Sequence, residues 1–257
     1  MLELAIEVAL EAGKYLKESV GNIRHIGHKD GQETNLVTEI DKQSEQMIMK
    51  KIKQVYPDHD FLGEETGGQN VKSEYRWIID PLDGTVNFTH GLPLFCVSIG
   101  LEYQGTIQLG VVYNPISNEL FTAERGKGAY LNSKRLQVTK TNKLIESMLV
   151  TGFPYNVQEN PDHAIEHFTN FLMEAQALRR LGSAALDICY VAAGRFEGFW
   201  EVNLHPWDVA AGVLILLEAG GVWTDFHGLP TSVYNPQLLA SNGSIHEEMI
   251  RVLKKSL

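Results

Sequence analysis

Strand-forming runs are bunched in one part of the chain and dispersed in another, and that change of pattern limits the folds open to it. From residue 94 to about 130, short β-rich runs at 96–102, 107–113, 119–123 and 128–131 follow one another with only turns between them. Gln104-Gly105 and Asn132-Ser133 supply the turn chemistry. No helix fits between such runs, so this stretch predicts an antiparallel sheet. After about residue 145 the pattern alternates instead. Strands at 148–152, 199–202, 222–225 and 238–241 are separated by helices at 163–177, 183–193 and 208–219, and a closing helix starts near Ile245. Alternation of this kind predicts an α/β layer packed on the first half. The expected class is α/β, with an α+β N-terminal lobe (1–145) and an α/β C-terminal lobe (146–257). No Pro/Gly-rich linker marks the boundary, so the lobes should share an interface.

The N-terminal lobe opens with Leu2, Ala5, Ile6, Ala9, Ala12 and Leu16 at helical spacing. Residues 29–35 are polar, contain Gly31 and read as an exposed, mobile loop. Thr38 and Asp41 are spaced as a capping box with Asp in place of the usual Glu or Gln. The helix they start carries Met47, Ile48, Ile52 and Val55 and should stop before Pro57. Residues 57–68 read as an acidic loop, and Trp77-Ile-Ile79 as a short buried strand ending in Asp80.

Thirty-two acidic against 22 basic residues leave a formal charge of -10. That balance argues against nucleic-acid binding, which needs a basic face. It suits a phosphorylated ligand only if some of the acids hold metal ions that reverse the local sign. Cys96 and Cys189, the two cysteines, form neither a disulfide framework nor a zinc cluster by spacing. The start of the chain, Met1-Leu-Glu-Leu-Ala-Ile-Glu7, lacks the basic region of a signal peptide. No apolar run approaches the ~20 residues that span a bilayer. A soluble, cytoplasmic protein is expected.

Chemistry concentrates in Trp77-Ile-Ile-Asp80-Pro81-Leu82-Asp83-Gly84-Thr85-Val-Asn87-Phe88. A buried strand delivers Asp80 to a sheet edge, Pro81 stiffens the exit, and Asp83 can fold back so that a cation lies between the two carboxylates. Hard oxygen ligands of this kind suit Mg²⁺, which keeps some waters and bridges to phosphate. If a helix starts at Gly84-Thr85, its amides form an anion site. Taken alone, Asp80 and Asp83 also read as a turn-capping pair. Two further segments weigh against that. Gly63-Glu64-Glu65 puts carboxylates on a Gly-flanked loop, which by itself is only a solvated acidic loop. His205-Pro206-Trp207-Asp208 places an acid at the start of an almost wholly apolar helix. Asp208 there reads as an N-cap, but burial would deny it bulk water, and a buried charge needs a partner. A packing or supporting role is expected for His205.

Together these segments resemble the inositol monophosphatase family, within the lithium-sensitive, Mg²⁺-dependent phosphatase superfamily. The similarity rests on Gly63-Glu64-Glu65, residues 77–88, Trp207-Asp-Val-Ala-Ala-Gly212 and Glu218-Ala-Gly-Gly221. Lesser agreement runs through Leu36-Val-Thr-Glu-Ile-Asp41 and Gly182-Ser-Ala-Ala185, so nearly the whole chain is covered. The resemblance implies a layered αβαβα sandwich of the sugar-phosphatase type. It implies two or three Mg²⁺ ions, with Mn²⁺ as a substitute and Li⁺ or Ca²⁺ as inhibitors. Glu64, Asp80 and the carbonyl of Leu82 would hold the first ion; Asp80, Asp83 and Asp208 the second; Glu64 would touch a weaker third. Asp41 and Thr85 would orient the attacking water, and Gly84 and Thr85 would bind phosphate, beside Asp83 and Asp208. Glu201 would accept hydrogen bonds from substrate hydroxyls, with Gly182, Ser183 and Ala184 lining the same pocket. Lys29 would sit on a mobile loop closing over the site, although that loop is slightly longer than in typical relatives. Homodimer formation is expected from the same likeness.

Haloacid-dehalogenase-like phosphatases, the rival class, separate their two aspartates by one residue. Here Pro81 and Leu82 intervene, which changes the direction each side chain takes on leaving the strand. Within the superfamily the reading favours myo-inositol monophosphate. NADP(H) 2′-phosphate, fructose 1,6-bisphosphate and nucleotide 3′-phosphates remain as other substrates on the same metal core. A non-catalytic metal- or anion-binding protein is the remaining alternative, since fold does not dictate function.

Overall fold

The computed structural model describes residues 1–22, 26–28, 36–68 and 72–256. Lys29 and the loop expected around it lie outside the described residues. Helix α1 (Leu2–Ser19) buries Ala5, Ala9, Ala12 and Leu16 of the stripe read from the sequence, adds Val8, and leaves Leu2 and Ile6 only partly buried. A short antiparallel pair, β1 (Ile26–His28) and β2 (Leu36–Thr38), precedes α2 (Glu39–Val55). Thr38 and Asp41 form the expected capping box at the start of α2.

The segment 57–68 differs from expectation. It holds β3 (Asp60–Gly63) and the two-residue β4 (Gly67–Gly68), because Phe61 and Leu62 pair in parallel with Trp77 and Ile78 of β5 (Tyr75–Asp83). Strand β5 is likewise longer than the three residues read as buried strand, since the chain stays paired through its acidic end. After the short helix α3 (Thr85–Thr89) come β6 (Cys96–Tyr103), β7 (Thr106–Asn114), β8 (Glu119–Glu124), β9 (Ala129–Leu131) and β10 (Lys134–Arg135). They complete an eight-stranded sheet in the order β10-β9-β8-β7-β6-β5-β3-β4, antiparallel except at β3/β5.

Strand β11 (Met148–Thr151), helix α4 (Ala164–Glu174) and strand β12 (Ala177–Arg179) follow. The helix ends earlier than its sequence period suggested, because residues 177–179 pair in parallel with β11. Then come α5 (Ala184–Ala192), β13 (Gly198–Glu201), α6 (Pro206–Glu218), β14 (Val222–Thr224), β15 (Leu238–Ser241) and α7 (His246–Leu253). This second sheet has the order β12-β11-β13-β15-β14, with β12, β11 and β13 parallel.

The layers stack as αβαβα. Alternate residues of the first sheet, such as Trp77, Ile79, Val97 and Ile99, pack on α1 and α2. Ile78, Cys96, Val112 and Phe121 face the other way, onto α5 and α6. The second sheet covers α5 with one face and buries Leu149, Trp200 and Leu239 against Phe171 of α4 and Met249 of α7 with the other. Helix α6 therefore has no polar face, since it lies inside the sandwich. Its approach to the first sheet is set by glycine. Gly100 and Gly110 are paired across β6 and β7, and a Cβ on Gly110 would come 2.5 Å from the carbonyl oxygen of Ala211. No helix among the described residues is long and apolar enough to cross a membrane.

Candidate active site

Of the acids identified from the sequence, Glu64, Asp80, Asp83 and Glu201 stand at the carboxyl ends of strands that pair in parallel, the usual location of ligand sites in sheets of this kind, and Asp41 and Asp208 stand in the first turns of helices. At the end of β3 the chain turns through Glu64, whose amide donates to the carbonyl of Ile79 on β5 (3.2 Å). Strand β5 breaks register between Asp80 and Asp83. Pro81 has no N–H to give the ladder, so the strand bulges and re-aims its side chains. Asp80 is 2% exposed, and its Oδ1 accepts from the Leu82 amide at 2.9 Å. Asp83 points across to the C-terminal half, where its Oδ2 accepts from the Ser183 hydroxyl (2.7 Å) and the Ala185 amide (2.8 Å). One carboxylate thereby ties the end of β5 to the first turn of α5.

Gly84 turns the chain into α3 with φ of 95°, and a Cβ there would lie 2.8 Å from the Leu94 carbonyl, so no other residue fits. Thr85 follows with its hydroxyl within reach of two acceptors, Asp41 Oδ1 at 3.0 Å and the Leu82 carbonyl at 3.1 Å. Asp41 is fully buried, and the Thr38 amide donates to its other oxygen at 2.9 Å. The capping box that starts α2 thus also holds the acid behind Thr85.

From the C-terminal half, Gly152 follows the end of β11, Arg180 follows the end of β12, and β13 ends at Glu201. The Glu201 carboxylate lies over Gly152, where an added Cβ would meet both its oxygens at 2.2 Å. Asp208 belongs to the first turn of α6, and its Oδ2 accepts from the His205 amide at 2.7 Å. It is both a cap and a wall of the cavity. His205 stacks on Trp207 with ring centroids 4.8 Å apart, in keeping with a packing role.

These ends enclose a cavity of about 440 Å³. Glu64, Asp80, Leu82, Asp83, Gly84 and Thr85 line it from the first half; Gly182, Ser183, Ala184, Glu201 and Asp208 line it from the second. Asp41 stands behind Thr85. Among the described candidates none lies elsewhere in the fold.

The carboxylates are crowded with one sign of charge. Burial first, then Glu64, Asp83 and Asp208, pushes Asp80 well above the usual carboxylate range. Burial and then Asp83 do the same to Asp208. Burial raises Asp83 to about 6 against the pull of its bonds from Ser183 and Ala185. Glu201 rises to about 8 through burial and Asp83, opposed by Arg180. Such a cluster favours a polyvalent cation. The donors are all oxygens, which fits Mg²⁺ and not a softer metal. Among the described residues no three Asp, Glu, His or Cys side chains already form a group that could hold a metal ion unaided. Mg²⁺ takes one or two carboxylates and keeps waters and substrate oxygens as further ligands. The Leu82 carbonyl lies 3.1 Å from the Thr85 hydroxyl oxygen, the alternative acceptor to Asp41 for its one proton, and in either case keeps at least one lone pair for an ion.

Sequence reasoning missed several residues of the site. Asp187 of α5 is 1% exposed, with neither carboxylate oxygen hydrogen-bonded, and lines the cavity. Its signal was legible, a lone acid inside the apolar run Ala184-Ala-Leu-Asp-Ile-Cys-Tyr-Val. Arg180 and Tyr155 also line the cavity. Each follows the carboxyl end of a parallel strand, a position that could have marked them.

The model of the Inositol monophosphatase family matches residues 1–257. An inositol-1-monophosphatase of Mesorhizobium japonicum is 40% identical over 100% of this chain and 97% of its own length. A Pseudomonas aeruginosa protein named Nus factor SuhB is 38% identical, over 100% and 97% of the two chains. The structure of an inositol monophosphatase from Anabaena superposes with a TM-score of 0.90 at 42% identity, covering 100% of this chain and 96% of that one.

Proposed function

The chain belongs to the inositol monophosphatase family, and on that premise we propose that it hydrolyses a small phosphate monoester, with myo-inositol monophosphate as its preferred substrate. The family is one of Mg²⁺-dependent phosphatases. Glu64, Asp80 and the Leu82 carbonyl would hold one ion, and Asp80, Asp83 and Asp208 a second, with Glu64 touching a weaker third. Bound Mg²⁺ offsets the charge of the acids and the phosphate, lowers the pKa of water at the site and stabilises the attacking and leaving oxygens.

The protein's own groups then orient the reactants. Asp41, held by Thr38, accepts from the Thr85 hydroxyl. That bond turns a lone pair of Thr85 toward the cavity, where it can accept from water and aim it at phosphorus. Gly84 and Thr85 cradle the phosphate, and Glu201 takes the hydroxyls of the leaving polyol. Gly182, Ser183 and Ala184 complete the pocket. Ligands from 1–145 and 146–257 fit two lobes that close the site between them. The family likeness also supports a cytoplasmic homodimer, with Mn²⁺ as a weaker substitute and Li⁺ or Ca²⁺ as inhibitors.

The observation that carries this reading is the convergence of Glu64, Asp80, Asp83 and Asp208 on one cavity, beside a hydrogen-bonded Thr85–Asp41 pair. A second reading keeps the mechanism and changes the ester to fructose 1,6-bisphosphate, NADP(H) or a nucleotide 3′-phosphate. Arg180 favours it, as a cation on the cavity wall able to meet a second anionic group. The relatives named Nus factor SuhB match about as well as those named phosphatases, so activity has to be measured. Phosphate release from inositol 1-phosphate is expected in Mg²⁺, abolished by EDTA and reduced by LiCl. Fructose 1,6-bisphosphate, 3′-phosphoadenosine 5′-phosphate and NADP⁺ should be turned over more slowly. Faster release from one of these would move the substrate and keep the chemistry. No release from any by folded, Mg²⁺-supplied protein would end the phosphatase reading.

A further inference from the structure

The two ends of a phosphate ester meet different halves of this chain. Gly84 and Thr85, where β5 runs into α3, form the cradle for phosphate. Gly182, Ser183, Ala184 and Glu201 form the wall that receives the alcohol. One ester linkage spans both, so their spacing has to be held closely; a misplacement of about 1 Å can cost on the order of 100-fold in rate. Two side chains of the first half reach across to the segment 181–185. Asp83 holds Ser183 and Ala185, but it also belongs to the proposed metal set. Asn87 is the other.

Asn87 lies in α3 and is 5% exposed. Its Nδ2 donates to the carbonyls of Leu94 at 2.7 Å and Leu181 at 2.8 Å, with the Gly182 carbonyl 3.4 Å away. Only the NH₂ end of an amide can face three carbonyls, so the surroundings fix which way the amide points. The same carbonyls crowd the cradle: a Cβ on Gly84 would lie 2.8 Å from the Leu94 oxygen and 3.2 Å from that of Gly182. Gly182 itself takes φ of 88°, and a Cβ there would come 3.1 Å from Asn87 Nδ2. Cradle, wall and the entry to β6 thus converge on one uncharged amide. None of its three acceptors is a proposed metal ligand, and Asn87 is not among the residues lining the cavity.

We propose that Asn87 is a positioning residue that sets the distance between the phosphate cradle and the wall for the leaving alcohol, and thereby the fit of the alcohol. The inference rests on the phosphatase reading and assigns substrate fit to a side chain that touches neither end of the ester. Without the amide, the Leu181 and Gly182 carbonyls repel the Leu94 carbonyl with no donor between them, and the wall moves off the cradle. The bonds of Thr85 to Asp41 and of Ser183 to Asp83 do not involve Asn87. Loss of the amide should therefore weaken the hold on the alcohol and spare the hold on phosphate and Mg²⁺.

Asn87→Ala removes both donors and should fold, with a melting temperature lower by about 2–6 °C. KM for inositol 1-phosphate should rise by about tenfold or more, the scale of losing one hydrogen bond to a charged group such as Glu201. Inhibition by inorganic phosphate, which needs the cradle alone, should change by less than about twofold. The increase in melting temperature on adding Mg²⁺ should stay within about 2 °C of the parent's. A general loosening of the fold lowers kcat by shrinking the active fraction and leaves KM alone, so that outcome would overturn the proposal. Phosphate inhibition weakened in step with KM would place Asn87 with the cradle and overturn it too. Should Asn87→Ala not fold, Asn87→Ser keeps one donor and takes the same measurements, with a rise in KM of about threefold expected and an unchanged KM overturning the proposal. Absence of phosphate release by the parent protein would end the phosphatase reading, whereas an active parent with an unaltered variant KM would end this inference alone.

Discussion

Asp83 bridges two jobs that a substitution can separate. Its Oδ2 receives the Ser183 hydroxyl and the Ala185 amide, fixing the start of α5, while its charge is one of those proposed to hold metal. Asp83→Asn keeps an acceptor oxygen for both donors and removes the charge. Turnover should fall by at least ~100-fold, the scale of losing one preorganised charge-stabilising group, with melting temperature held within a few degrees. Asp83→Ala should lose turnover equally and also stability, by about 1–3 kcal/mol, because the Ala185 amide is left buried without a partner. Phosphate release and thermal melts on the two variants test the separation. Near-normal turnover in Asp83→Asn would remove Asp83 from the metal set. Asp83 was legible in the sequence because two acids three apart follow a hydrophobic strand and precede Gly-Thr. Tyr155 was not, since a tyrosine in a Pro-containing turn belongs to no period, and only the parallel strand before it places it on the cavity wall.

Helix α6 shows how one element's packing reaches the site. Gly100 and Gly110 let the helix lie against the first sheet, and its opposite side meets Ile188 of α5 at Gly212, where a Cβ would come 3.1 Å from the Ile188 Cβ. Gly110→Ala would drive a methyl group into the backbone of Ala211, at 2.5 Å from its oxygen and 2.9 Å from its Cα. Backbone cannot swing aside as a side chain can, so the helix must shift. Overpacking of this kind costs about 1–3 kcal/mol, or a fall in melting temperature of about 3–10 °C for a chain of this size. Because Asp208 rides on the first turn of α6, kcat should fall as well, although Gly110 touches no reacting group. An alanine variant with unchanged melting and kcat would show that the helix has slack. The helical periods of α1 and α2, and the apolar run of α6, were readable because each is a local pattern. Strand β3 was not, because only Phe61 and Leu62 stand out among polar and turn-forming neighbours, and its strand character comes from pairing with β5, far along the chain. The overrun at the end of α4 has the same origin, with β12 defined by β11 and not by its own residues.

At the scale of the whole molecule, several acids are buried where they cost stability. Glu45 on α2 is fully buried against Gly63, with Oε2 unpartnered, and burial, then Glu65, pushes it up to about 7 despite a bond from Thr66 (3.3 Å). Glu201 rises to about 8. In the unfolded chain both would titrate near 4.3. Between about pH 4.3 and 8 the folded protein therefore holds protons that the unfolded chain has released, so stability falls as pH rises through that window. Metal-free protein in EDTA should melt highest near pH 5 and progressively lower at pH 7 and 8.5. Asp80, Asp83, Asp187 and Asp208 are raised in the same sense, so Glu45→Gln removes one of several titrations; it should raise melting temperature at pH 8.5, leave it nearly unchanged at pH 5 and make the slope shallower without abolishing it. Mg²⁺ stabilises whichever state binds it, and protons compete for its oxygen ligands. The increase in melting temperature on adding Mg²⁺ should thus be larger at pH 8.5 than at pH 5. Melting curves at the three pH values, with EDTA or Mg²⁺, test both halves of the argument. A flat profile in EDTA would show that Glu45 and Glu201 carry no extra protons in the fold. A sloping profile unaffected by Mg²⁺ would show that the acid cluster does not bind the ion under those conditions.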